Sequence, residues 1–236
     1  MAAMITTLTG DVNGDGVPDI LWLSGTRADD SAAWQQVKLV VQDGRTCLTT
    51  TLPLPAEIAY SPALTLSSLT GPGKKDILVS LPTGGSGGIT QYAVYAYLDG
   101  AYQQIFSSEA YERQYAYGVY FLDGYTVKAF SQQNRQEYLI DISAKGADYL
   151  NAIYHANGTL KQPVEGFVNP LSGLFPIDFS LSGQDSLLAY QKIAGQYNAD
   201  SLGYFLNTLR WQGDAFVLTD QMVGIFGSDA SIVQPR

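Results

Sequence analysis

Three Asp-Gly pairs, Asp43-Gly44, Asp99-Gly100 and Asp123-Gly124, each separate two runs rich in Val, Leu, Tyr, Phe and Thr. Both residues tolerate positive φ, so an Asp-Gly pair in that setting closes a tight β-hairpin. "VKLVVQDGRTCLTTTL", "YAVYAYLDGAYQQIF" and "YGVYFLDGYTVKAF" are read as hairpins on this ground, and "NTLRWQGDAFVLTD" as a fourth around Gln212-Gly213. A chain cut so often by turns leaves little room for long helices. One segment reads as helical. In "SAKGADYLNAIYHANG", Ser143 offers an N-cap, Ala147, Leu150 and Ile153 or Tyr154 recur at helical spacing, and Gly158 offers a C-cap.

Hydrophobic residues make up 46% of the 236, enough for a sizeable core and too many for disorder. The net charge of -9 repels phosphate backbones, so nucleic acid is not an expected partner. No run approaches the length of a membrane span, and membrane insertion is not expected. The opening "MAAMITTLTGD" has neither a basic n-region nor a long apolar h-region, so no export signal is read there. The single cysteine, Cys47, excludes an intrachain disulfide and is read as a small buried residue in a strand. The single histidine, His155, argues against a His-dependent triad or a multi-His metal site.

Similar stretches recur. "LTGDVNGDGVPDILWLSG" and "LSSLTGPGKKDILVSLPTGG" both close on Asp-Ile-Leu, with Gly16 and Gly73 three residues before the aspartate; "FSLSGQDSLLAYQKIAG" is a weaker echo. The marker aspartates Asp19, Asp76 and Asp185 lie 57 and 109 residues apart. The turn glycines Gly44, Gly100 and Gly213 keep a similar rhythm, and Gly158 falls near the missing position. The expected fold is all-β: a small β-propeller-like fold of about four units, with one helical insertion near 143–157. The units are placed at 4–60, 61–112, 113–165 and 166–236 of a single domain, with the first and last strands completing one blade together.

The first copy carries chemistry. Asp11, Asn13, Asp15, Gly16 and Asp19 spell D-x-N-x-D-G-x-x-D. Oxygen side chains alternating in a tight loop suit a hard cation, and Ca2+ takes six to eight oxygens in irregular geometry. Gly14 and Gly16 let the chain turn sharply enough to add a main-chain carbonyl, that of Val17. An EF-hand is excluded, because loop position twelve is Trp22 and a strand follows. In the second copy Ser68, Thr70 and Pro72 replace Asp11, Asn13 and Asp15, so that loop is expected to keep the turn without metal. One calcium is expected, as a structural brace.

The Asp11–Asp19 loop resembles the calcium loop of FG-GAP repeats, also called VCBS repeats, as in the β-propeller of integrin α subunits. The resemblance covers Leu8 to Leu23 and extends more weakly to Leu69–Leu81 and Phe179–Tyr190. It implies Asp11, Asn13, Asp15 and Asp19 as side-chain ligands and Val17 as a carbonyl ligand. Integrin-type propellers have seven blades, which a chain of this length does not supply.

Other motifs point to less. "PTGGSGG" lacks the Gly-Lys-Ser/Thr ending of a phosphate loop and reads as a connection between strands. Trp34, in the polar stretch "DDSAAWQQ", and Tyr197, in "YNADSLGYF", are the aromatics that best suit a sugar ring. The expected function is a non-enzymatic, calcium-binding β-repeat module, extracellular or at the cell surface, whose partner is a protein or glycan there. A carbohydrate-binding lectin is the alternative, and a hydrolase or lyase built on acidic residues is a more distant one.

Overall fold

The structure is a computed structural model and describes residues 2–227. It is built from antiparallel strands in three sheets. The first sheet runs β1 (Ala3–Gly10), β2 (Asp19–Thr26), β3 (Ala33–Gln42) and β4 (Thr49–Leu52) in order, with β5 (Ala59–Tyr60) beside β3. The second runs β6 (Ala63–Ser67), β7 (Asp76–Pro82), β8 (Thr90–Leu98) and β9 (Ala101–Ser107), and helix α1 (Ser108–Gln114) follows it. Next come β10 (Tyr117–Leu122), β11 (Thr126–Ser131), β12 (Gln136–Asp141), helix α2 (Ala147–Ile153), β13 (Glu165–Ile177), β14 (Ser186–Ala194), β15 (Ser201–Trp211) and β16 (Phe216–Gly224). These seven strands share one sheet in the order β12-β11-β10-β13-β14-β15-β16.

Side-chain alternation decides how the layers stack. In β2, Leu21 and Leu23 are fully buried while Ile20 and Trp22 are not, the pattern of a strand with one wet face. In β7, the consecutive residues Asp76 to Val79 are all buried, so this strand is covered on both faces there. Ile77, Val79 and Leu81 join Leu21, Leu23, Leu39 and Val41 in one core. Leu78, on the opposite parity, joins Leu171, Leu174, Leu187 and Leu209 in another. The second sheet is therefore a middle layer between the first sheet and the β13–β15 part of the third. A third core gathers Val119, Phe121, Val127 and Ile140 from β10–β12, Ile153 from α2, and Ile193 and Phe205.

The four expected hairpins are present. Asp99 and Gly100 both take positive φ between β8 and β9. Asp123 to Tyr125 join β10 to β11, and Gln212 to Ala215 join β15 to β16. The Asp43-Gly44 turn is longer than read: residues 43–48 form it, and Cys47 has φ 59° within it. Cys47 is thus exposed in a turn instead of buried in a strand. The helix near 143–157 is shorter than expected. It spans Ala147–Ile153, its N-cap is Gly146 and not Ser143, and its C-cap is Tyr154 and not Gly158. Gly158, at φ 80°, instead closes the turn after it by donating to the His155 carbonyl. The helix α1 was not read; the Ser107 side chain caps it by accepting from Ala110 N.

The mostly β class is as expected, but a ring of four blades is not what these sheets form. The strands of the expected third and fourth units share one sheet through β10 and β13. The first and last strands do not pair either: β1 and β16 are outer strands of different sheets. The physical reason lies in β13, thirteen residues long, which pairs with β14 and also reaches β10 at its start. Residues 228–236, the end of the expected fourth unit, lie outside the described residues. No helix among the described residues is long and apolar enough to cross a membrane.

Candidate functional site: the Asp11–Asp19 loop

The loop joins β1 to β2 and is built from successive side-chain turns. Asp11 accepts from Gly14 N at 2.7 Å through Oδ1 and from Gly16 N at 2.8 Å through Oδ2. Asn13 Oδ1 accepts from Asp15 N at 2.9 Å, and Asp15 Oδ1 from Val17 N at 2.8 Å. Such short polar side chains mimic backbone turns. Gly14 and Gly16 take φ 79° and 83°, the left-handed region where glycine carries no steric penalty.

Asp19 opens β2 and is fully buried. Its Oδ2 accepts from Val12 N at 2.9 Å, and its Oδ1 from Gly44 N at 2.9 Å and Asn13 Nδ2 at 3.3 Å. The carboxylate thus ties the loop to the β3–β4 turn. That turn comes very close: a Cβ on Gly44 would collide with the Pro18 carbonyl. From the same turn Arg45 donates through Nε to Asp15 Oδ2 at 2.7 Å and through Nη2 to the Asp15 carbonyl at 2.6 Å. Asp43 accepts from Asn13 Nδ2 at 3.0 Å. Hydrogen bonds, foremost from Thr46 N, hold the Asp43 carboxyl below its usual range. Arg45 is the positive charge beside the aspartates. Sequence reading missed it, although it directly follows Gly44; nothing local announces that this turn docks thirty residues upstream.

The donor set matches calcium chemistry: three carboxylates, an amide and main-chain oxygens in nine residues. Their present directions are another matter. Among the described residues no three acidic, thiol or imidazole groups converge as a metal cluster. Asn13 presents its nitrogen end to Asp19 and Asp43, and Arg45 covers one oxygen of Asp15. Val17 takes part through its N–H.

The same brace recurs in the second sheet. Asp76, 2% exposed, accepts from Leu69 N at 2.8 Å, Thr70 N at 2.7 Å and Thr70 Oγ1 at 2.9 Å. Leu69 precedes Asp76 by seven residues, as Val12 precedes Asp19. Burial pushes the Asp76 carboxyl up, against the pull of the Thr70 hydrogen bonds. In the third copy Asp178 accepts from Gly183 N at 2.7 Å, the spacing of Asp11 and Gly16. Asp185 crosses to the second sheet, accepting from Ser67 Oγ at 2.6 Å and Ser68 N at 2.9 Å. Loop one and loop two share a cleft lined by Asp11, Asn13, Thr70 and the Lys74-Lys75 pair.

Trp34 and Tyr197 are not brought together. Trp34, the second residue of β3, packs partly on the first core and carries the Arg27 guanidinium 4.8 Å over its ring. Tyr197 is 58% exposed in the β14–β15 connection of the third sheet. His155 is exposed in the turn after α2.

Comparison with known proteins replaces the FG-GAP resemblance. Residues 115–224 match the family described as YybI C-terminal domain, a span that coincides with β10–β16. A protein of Bacillus subtilis (strain 168), "Uncharacterized protein YybI", is 44% identical over 229 residues, covering 97% of this chain and 87% of that one. No solved structure matches. The FG-GAP reading rested on nine residues whose Asp, Asn and Gly also serve side-chain turns and a buried brace, so their pattern was not specific to that family. The similarity runs nearly the whole length of both chains, and the protein belongs to the YybI family.

Proposed function

We propose that the protein is a non-enzymatic β-repeat binding module whose first loop takes one calcium ion as a structural brace. The observation that carries this reading is the run of side-chain turns at Asp11, Asn13 and Asp15, closed by the buried Asp19. These turns hold the loop in shape through main-chain N–H groups, and both Asp11 oxygens, each accepting one such bond, keep a second lone pair. Asp11, Asn13, Asp15 and Asp19 would hold the ion with the Val17 carbonyl. Binding requires Arg45 to leave Asp15 and the Asn13 amide to turn its oxygen inward. The meanders β1–β4 and β6–β9 and the shared sheet β10–β16 support an open array of β repeats in place of a closed ring of four blades. Its expected place is outside the cytoplasm or at the cell surface, where millimolar calcium matches the weak sites of extracellular modules, and its expected partner is a protein or glycan.

The test is thermal melting of EDTA-treated protein with and without added calcium. Binding to the folded state alone raises the melting temperature. Arg45→Ala removes the competing cation and should enlarge the rise, and Asp15→Asn should shrink it. An unchanged melt in wild type and Arg45→Ala alike overturns the calcium reading and leaves Arg45 as the loop's permanent counterion.

A further inference from the structure

The strands β10 and β13 pair over only two residues, Val119 with Gly166 and Tyr120 with Glu165. Toward the start of β10 they part, while β13 stays with β14 through a register shift between Val168 and Leu171. The parting opens a cleft of about 400 Å³. Its lining includes Glu112 from α1, Tyr117, Tyr120, Glu165, Asn169 and Gln191. Asn169 and Gln191 are each 3% exposed. The Asn169 Nδ2 donor and the Gln191 Oε1 acceptor nevertheless have no hydrogen-bond partner. Gln191 Nε2 donates to the Asn169 carbonyl at 3.2 Å, which leaves its oxygen as the free end. Buried polar groups are rarely left unpaired, and each such group costs free energy until something pairs it.

The chemistry of the lining narrows the occupant. Two carboxylates, with no Lys, Arg or His among the lining residues, repel an anion. A wholly apolar ligand would leave both amides unpaired. An organic cation could meet the carboxylates, but its charged group cannot accept the Asn169 N–H. A hydroxyl group both donates and accepts, so adjacent hydroxyls can answer Asn169 Nδ2, Gln191 Oε1 and a carboxylate together. Tyr120, 39% exposed, adds ring surface for the C–H face of a sugar. Glu112 has a fixed position, because its Oε1 accepts from Leu171 N at 3.0 Å.

We propose that the cleft between β10 and β13 binds a neutral sugar residue. It deepens the binding-module reading, on which it rests, by giving that module a ligand class and a site; it needs no calcium. The test is saturation-transfer NMR in EDTA-containing buffer, followed by titration, with D-glucose, N-acetyl-D-glucosamine, sorbitol and choline as separate probes at roughly 10 mM. At least one of the two sugars should bind saturably with a Kd on the order of 1 mM. Binding should weaken about tenfold in Gln191→Leu and, independently, in Tyr120→Ala. Tyr120 is 39% exposed, so its replacement leaves the core intact if the Gln191 variant fails to fold. Sorbitol separates a ring site from a general polyol site, and a response to sorbitol alone counts against the proposal. No sugar response from folded protein, a response equal in the variants, or a response to choline alone overturns it. The calcium melt, run in parallel, reports on the other reading separately.

Discussion

At the residue scale, the buried carboxylates brace turns. Asp76 receives two main-chain N–H groups and one hydroxyl, and Leu69, one of the donors, is fully buried. Removing the acceptor leaves those donors unpaired, so Asp76→Ala should cost about 2–4 kcal/mol in urea unfolding. A loss under about 0.5 kcal/mol would show that solvent replaces the carboxylate freely. Glu112 supplies a pH-dependent counterpart. Burial pushes its carboxyl above the usual range, ahead of the opposing hydrogen bond from Leu171 N. The folded protein therefore holds this proton more tightly than the unfolded chain does. The favourable contribution is complete below the unfolded pKa and is lost as pH rises through the raised folded one. Glu112→Gln keeps an oxygen for Leu171 N and never ionises. It should be more stable than wild type at pH 7, with the advantage shrinking to nothing as pH falls into the ordinary carboxyl range. A stability difference flat in pH would show that Glu112 ionisation is not coupled to folding.

At the scale of elements, turns and loops differ in what their glycines do. Gly14 has open space around its missing Cβ but a φ of 79°. Gly44 lies against the Pro18 carbonyl, where a Cβ has no room. Gly14→Ala should cost about 1 kcal/mol through backbone strain alone. Gly44→Ala must push the β3–β4 turn off the Asp19 brace and should cost more, roughly 2–3 kcal/mol. Equal losses would mean that the turn does not dock in solution. This contrast also shows what the sequence made legible. The hairpins at Asp99-Gly100 and Asp123-Gly124 were readable because their chemistry is local. The repeat was readable as a frame around Asp19 and Asp76, and both aspartates do open equivalent strands. The docking of Arg45 on Asp15 was not, since two surface residues thirty apart carry no shared pattern. Cys47 looked like part of a strand because Thr and Leu surround it, yet its positive φ closes the turn. The helix α1 holds only Ala110 and Tyr111 as apolar residues, adjacent instead of at helical spacing, and left a Ser107 cap and a Glu109–Arg113 pair as its local traces. The β10–β13 cleft depends on where two strands distant in sequence stop pairing, and no local residue pattern marks that point.

At the scale of the whole molecule, the second sheet couples the other two. Ile77, Val79 and Leu81 of β7 face the first core, and Leu78 of the same strand faces the second. Neither outer layer buries its inner face without this sheet, so the layers should unfold together. The tryptophans make this measurable. Trp22 and Trp34 lie in the first sheet, and Trp211 lies in the third at the end of β15. Trp211→Phe leaves fluorescence reporting the first sheet. The double variant Trp22→Phe, Trp34→Phe leaves it reporting the third. Each set changes stability, so midpoints are compared within one variant, fluorescence against far-ultraviolet circular dichroism. The two signals should coincide in urea for both variants. Leu78→Ala should cost about 2–5 kcal/mol, because it opens a cavity in the second core. If the sheets are coupled, that loss shifts the Trp22 and Trp34 signal as much as the Trp211 signal, although Leu78 belongs to the core shared with the third sheet. A shift confined to Trp211 would mean that the first sheet is held by its own contacts and that β7 transmits nothing between its two faces.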